Sequence, residues 1–145
     1  MEKLPDHGSC FVCGTTNPHA IGVGWYLDDD KNIEANFIFT HQHQGPPGYV
    51  HGGESAAVLG EAMGLAIWQA GYRAVTVHLT IDYRQPVPFG ESIRIRDVMH
   101  GKAEQRIETS GEILLPDGSV AVFAKGIYAD EAHFLDQDAI RNFKA

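Results

Sequence analysis

The sequence predicts an α+β fold in which an antiparallel sheet of roughly five or six strands wraps a single central helix. Three observations predict it. Residues 54–69 hold Ala56, Ala57, Val58, Leu59, Ala62, Met63, Leu65, Ala66, Ile67 and Trp68 without a proline, so they read as a helix of about four turns. Its apolar residues occupy every side instead of one stripe, which marks a helix enclosed by protein. After Gly71 the pattern changes to strand: Val75, Val77, Leu79 and Ile81 alternate with Thr76, His78, Thr80 and Asp82. A helix lying across an open sheet would need only one apolar face, so wrapping is the better match.

Residues 1–20 are turn-rich and lack periodicity, and are expected to form an N-terminal arm on the domain. Residues 21–27 and 33–40 read as two strands separated by the Asp28-Asp29-Asp30-Lys31-Asn32 turn, the second with Ile33, Ala35, Phe37 and Phe39 on one face. Gly45-Pro46-Pro47-Gly48 can continue neither a helix nor a central strand, so residues 41–49 are a loop leading to the helix. Gly71 is placed to end that helix. Residues 75–82, 92–99, 106–115 and 120–128 then form a meander, interrupted by Pro86-Val87-Pro88 and by the Pro116-Asp117-Gly118 turn. Phe134, Leu135, Ile140 and Phe143 in the tail, residues 131–145, suit a short terminal helix.

A chain of 145 residues is the size of a single domain with one core. The formal charge of -8 repels polyanions and argues against nucleic-acid binding. Arg73, Arg84, Arg94, Arg96, Lys102 and Arg106 still leave cations for a small anionic ligand. No run approaches the roughly 20 apolar residues needed to span a bilayer. The start Met-Glu-Lys-Leu-Pro-Asp has no apolar leader, so the expectation is a cytoplasmic protein without membrane contact.

Cys10 and Cys13 are the two cysteines, too few for a disulfide framework. A redox pair would want a helix start, whereas Gly8, Gly14, Asn17 and Pro18 read as loop. A zinc site could recruit His7 and His19, although the spacing matches no finger pattern. A small buried turn is the plainer expectation, with no metal and no cofactor assigned.

Glu61 is the one charged side chain between Glu54 and Arg73. An unpaired carboxylate at mid-helix in buried surroundings costs several kcal/mol or takes up a proton. It therefore either serves catalysis or reaches a partner such as Arg73. His51-Gly52-Gly53 precedes the helix, where free amides and the dipole favour developing negative charge and glycine permits close approach. The same glycines would also suit a bare loop-to-helix junction. Gly53 and Glu61 lie about 12 Å apart along a helix, too far to act on one carbonyl. A site shared across a dimer, with Gly53 from one chain and Glu61 from another, resolves the distance. Thr76, His78 and Thr80 are expected on one strand face, where a hydroxyl could orient water or simply meet solvent. His7, His19, His41, His43, His100 and His133 receive no role.

Together, Cys10-Phe11-Val12-Cys13-Gly14, Asn17-Pro18, Gly45 through Gly53, Glu61-Ala62-Met63-Gly64 and Val77 through Pro86 resemble the hotdog-fold acyl-CoA thioesterase superfamily, especially its phenylacetate-degradation type. The resemblance spans residues 8–128. It implies a hotdog fold, dimers or dimers of dimers, and metal-free hydrolysis of an acyl-CoA substrate to free acid and CoA. By resemblance Glu61 is base or nucleophile, the Gly53 amide polarises the thioester carbonyl, and Thr76 assists. His51, Gly52, Glu54 and His78 are the expected substrate contacts. One departure stands out: the family's acid usually falls nine positions after the histidine, which is Gly60 here, with Glu61 one step later. That shift turns a helical side chain by about 100° and motivates the alternative of an acyl-CoA binding protein that does not cleave its ligand. A structural protein with a metal at Cys10 and Cys13, and a hotdog dehydratase, are weaker readings.

Overall fold

The computed structural model describes residues 1–104 and 106–130. The expected short helix around Phe134, Leu135, Ile140 and Phe143 lies outside the described residues. The elements in order are β1 (Glu2–Lys3), β2 (Tyr26–Leu27), β3 (Ile33–Ile38), a 3-10 turn (His41–His43), α1 (Gly52–Gln69), β4 (Ala74–Tyr83), β5 (Ser92–Ala103), β6 (Arg106–Leu114) and β7 (Val120–Asp130). They form one sheet in the order β1-β2-β3-β5-β6-β7-β4, antiparallel throughout. The helix packs against β3, β4, β5, β6 and β7 of the sheet, the hotdog arrangement.

The helix begins at Gly52, two residues earlier than the expected start at 54, because His51 caps it with its own side chain. At the other end Gly71, at φ 93°, donates to the Trp68 carbonyl and Tyr72 donates to Ile67, so glycine in the left-handed region stops the helix. Val58, Leu59, Ala62 and Met63 are fully buried against Ile33, Ile95, Ile107 and Ile113 of the sheet. β3 buries Ile33 and Ala35 and half-buries Phe37, and Phe39 just beyond its end is fully buried, as the alternation predicts.

Two expectations need correction. Residues 21–27 form a ladder at Tyr26 and Leu27 alone; Gly22 sits at φ 93°, and the preceding stretch instead receives the arm, with Ile21 N–H donating to Phe11 and Gly22 and Val23 N–H to Val12. In β4 the register shifts between Thr76 and His78: Thr76 pairs with Tyr128 and His78 with Ile127. Val77 is the extra residue of a bulge, and directly paired residues share a face. Thr76 therefore stands on the helix side with Tyr128, whereas His78 and Thr80 stand on the outer face, joined at 3.1 Å.

Asp97 continues the inward phase of Ile93 and Ile95 and is fully buried. Its Oδ1 accepts from Thr109 at 2.8 Å, while Oδ2 has no partner among the described residues. Burial pushes the carboxyl up to about 8, with the Thr109 hydrogen bond opposing. A folded-state value above the unfolded one means that the stability it contributes is complete below about pH 4 and is lost as pH rises through about 8. Asp97→Asn keeps the acceptor for Thr109 and cannot ionise. Urea unfolding from pH 4 to 9 is expected to show the variant gaining on the parent by about 2–5 kcal/mol across that window; a constant difference would contradict a buried titrating Asp97.

Candidate functional site

The start of α1 is built by close approach. The imidazole Nδ1 of His51 accepts from Gly53 N–H at 2.8 Å, and the Tyr83 hydroxyl donates to the Gly52 carbonyl at 2.7 Å. A Cβ on Gly52 would meet the Tyr83 ring at 3.2 Å, and one on Gly53 would meet His51 Nδ1 at 3.0 Å. Both positions are thus tight for a side chain, and any residue there would have to push aside the Tyr83 or His51 ring. Beside them opens a cleft of about 420 Å³ lined by Tyr49, Val50, Gly52, Tyr83, Arg84 and Val87, among others. Glu54, on the first turn, has a buried Oε2 with no hydrogen-bond partner among the described residues.

Glu61 stands two turns further on, with its side chain 12% exposed. It is neither in open solvent nor paired with Arg73; the N-terminal arm supplies its partners. Cys10 Sγ donates to Oε1 at 2.7 Å and Cys13 Sγ at 3.3 Å. The Trp25 indole N–H donates to Oε2 at 2.8 Å, and His7 Nδ1 lies 3.5 Å from Oε1. Burial first, then the adjacent Glu61 carboxylate, push the Cys13 thiol up to about 12, although the His7 backbone pulls the other way. Cys13 is thus an S–H donor at neutral pH. This arrangement answers the cost of a mid-helix carboxylate by charge-assisted hydrogen bonds.

The one-residue shift from Gly60 to Glu61 has a visible result. The Gly60 carbonyl accepts from the Tyr128 hydroxyl at 3.1 Å. Burial pushes that phenol up to about 12, partly offset by a hydrogen bond with Thr76. The expected assistant Thr76 therefore sits near Gly60, the position that lacks a side chain. A Cβ there would meet nothing within 4 Å.

The structure brings His51, Gly52, Gly53 and Glu54 together at the helix start. His78 is on the outer sheet face and does not join them. Among the cations, Arg94 pairs with buried Glu34 at 2.7 Å and Arg106 with Glu108 at 2.9 Å, while Arg84 lies over the Phe123 ring. The residues that sequence reasoning did not connect with Glu61 are His7, Cys10, Cys13 and Trp25. The usable signal was a Cys-x-x-Cys turn with a histidine three residues before it. Asp97 was also missed, although its phase with Ile93 and Ile95 marks it as inward.

Comparison with known proteins follows the same lines. The Thioesterase superfamily model matches residues 47–100. Acyl-coenzyme A thioesterase THEM4 of Xenopus laevis is 32% identical over 112 residues, covering 73% of this chain and 50% of that protein. The chain therefore spans about half the length of that curated relative. A crystal structure of protein RHA08564, a thioesterase superfamily protein, superposes with a TM-score of 0.80 at 31% identity, covering 83% of this chain and 62% of that one. The E. coli PaaI protein from the phenylacetic acid degradation operon superposes with a TM-score of 0.70 at 20% identity, over 77% of this chain and 80% of its own. At that identity the likeness shows the hotdog fold and leaves the phenylacetate type unsupported. No helix among the described residues is long and apolar enough to cross a membrane.

The arm turn that carries both thiols depends on Gly14, whose added Cβ would meet the Cys10 and Gly8 carbonyl oxygens at 2.4 Å each. Gly14→Ala is expected to cost about 1–3 kcal/mol in urea unfolding and to speed alkylation of buried Cys13. Unchanged stability together with unchanged labelling would show that the turn does not hold the thiols on Glu61.

Proposed function

We propose that this chain is an acyl-CoA thioester hydrolase whose site forms at the start of α1 and is completed by a second copy. The observation that carries this reading is the capped His51-Gly52-Gly53 helix start beside a 420 Å³ cleft whose wall includes Gly52 and Ser55, in a chain similar to acyl-coenzyme A thioesterase THEM4. A thioester oxygen would displace the His51 imidazole from the Gly53 N–H, where the helix dipole favours the charge that builds as the carbonyl is attacked. Gly52 lets the ligand approach closely and lines the cleft with Ser55 and Tyr83, and Glu54 on the same helical turn is the proposed further contact.

Support for a second copy comes from β4. Among the described residues it is a terminal strand of the sheet, paired with β7 on one side at nine of its ten residues. Val77 and Tyr83 on it are 45% and 55% exposed. Long free edges of this kind are normally covered, and pairing of two β4 strands would form a homodimer that carries the helix start of one copy toward the helix of another. Glu61, activating water or attacking directly, is the proposed carboxylate, with Thr76 positioning the water. A cytoplasmic location fits this reading.

A second reading is favoured by two observations. Oε1 of Glu61 is already held by both thiols, and Gly60 offers no carboxylate beside Thr76. On this reading the protein holds acyl-CoA without cleaving it.

Steady-state thiol release from a panel of acyl-CoA substrates separates the two. Hydrolysis is expected, with Glu61→Gln lowering kcat by about 10²–10⁴-fold and Glu54→Gln acting mainly on KM. Full turnover in Glu61→Gln would remove Glu61 from the chemistry. Tight calorimetric binding of acyl-CoA without thiol release would establish the binding reading instead.

A further inference from the structure

His7, Cys10, Cys13 and Glu61 place one ligand atom each within 4.8 Å of one another. We propose that these four side chains form a closed, tetrahedral site for a zinc-type divalent cation that fastens the N-terminal arm to α1. The inference shares Glu61 with the hydrolase reading but does not rest on it, and its test measures metal, not turnover.

The distances fit. Bond lengths near 2.3 Å to sulfur and 2.0–2.2 Å to nitrogen and oxygen give tetrahedral edges of about 3.3–3.8 Å. The observed edges are 3.6 Å from Cys13 Sγ to His7 Nδ1, 3.5 Å from His7 Nδ1 to Glu61 Oε1 and 3.3 Å from Cys13 Sγ to Glu61 Oε1. The contact from Cys10 Sγ to Oε1, 2.7 Å, is shorter and would open by about 0.8 Å around an ion. Two sulfurs, one imidazole and one carboxylate suit zinc among the common cations.

The surroundings hold each ligand in place, as outer-shell partners do in metal sites. Trp25 occupies Oε2 and leaves Oε1 turned toward the cluster. His7 is stacked on Trp68 with ring centroids 5.4 Å apart. The Val12 amide points at Cys10 Sγ from 3.4 Å, a donor that would stabilise a thiolate there. The three arm ligands fall at equal spacing, His7-x-x-Cys10-x-x-Cys13, in a turn whose Gly14 N–H donates to the Cys10 carbonyl.

On binding, both S–H bonds break, two metal–sulfur bonds form, and two protons pass to solvent. His7 coordinates through Nδ1 and keeps its proton on Nε2; Glu61 coordinates through Oε1. Two thiolates and one carboxylate around a divalent ion leave a net charge of -1, which Trp25 and the Val12 amide partly offset. With four protein ligands the site has no open position for substrate, so its role is to close the arm over the helix. A cation on Oε1 takes the oxygen that the hydrolase reading gives to water, and the loaded form is therefore a binding form.

The full chain, reduced and stripped with a chelator, is titrated with Zn²⁺ and with Co²⁺. The expected result is one equivalent of tightly held Zn²⁺ with a raised unfolding midpoint, and a Co²⁺ form with the intense visible bands of tetrahedral coordination and thiolate charge transfer. The Cys10→Ser, Cys13→Ser double variant is expected to lose the metal. His7→Asn, at a part-exposed position that leaves the fold intact by circular dichroism, is expected to weaken it at least tenfold, and Trp25→Phe by about 10–100-fold. His19→Ala is expected to bind as the parent does. Absence of stoichiometric Zn²⁺ in the parent, or retention of parental affinity in His7→Asn, would overturn the site.

Discussion

A helix that is apolar on every side has to be enclosed on every side, and much of this architecture answers that requirement. The sheet covers Val58, Leu59, Ala62 and Met63. It does not also cover the face that carries Glu61, whose carboxylate takes its donors from the arm. The arm closes that face and brings thiols and an indole to the carboxylate. What remains is the strip of Gly53, Ala57, Gly60 and Gly64, none of them fully buried. This strip is the part of the enclosure that one chain does not complete.

The same partition explains why the chemistry is divided along the helix. Its start is open, glycine-lined and adjacent to a cleft; its middle holds an acid tied to the arm. About 12 Å of helix separates the two. An oxyanion donor and a carboxylate at those positions can meet on one carbonyl only if they come from different copies, and the edge of β4, unpaired among the described residues, offers the means. The arm adds a second level of control, since whatever holds Cys10 and Cys13 also holds Oε1 of Glu61.

Local patterning was enough to read the helix, the loop before it, the end at Gly71 and the four long strands. It was not enough where a single backbone irregularity reverses a face: the bulge at Val77 separates Thr76 from His78, and no residue type at that position announces it. β2 is shorter than its apolar run because Gly22 and the arm's backbone hydrogen bonds replace the ladder. The partners of Glu61 were illegible for a different reason. Cys10 and Cys13 lie 51 and 48 residues away in the chain, and only the fold brings them together. That Glu61 needed a partner was legible from its surroundings; which partner was not.

The shared site is tested most directly by mixing two damaged chains. Glu61→Gln and Gly53→Val are each expected to be inactive alone. A mixed dimer would pair the intact Gly53 of the first chain with the intact Glu61 of the second, restoring one of two sites and about half the parental turnover per dimer. Mixed dimers as inactive as either parent variant would contradict a site built from two copies.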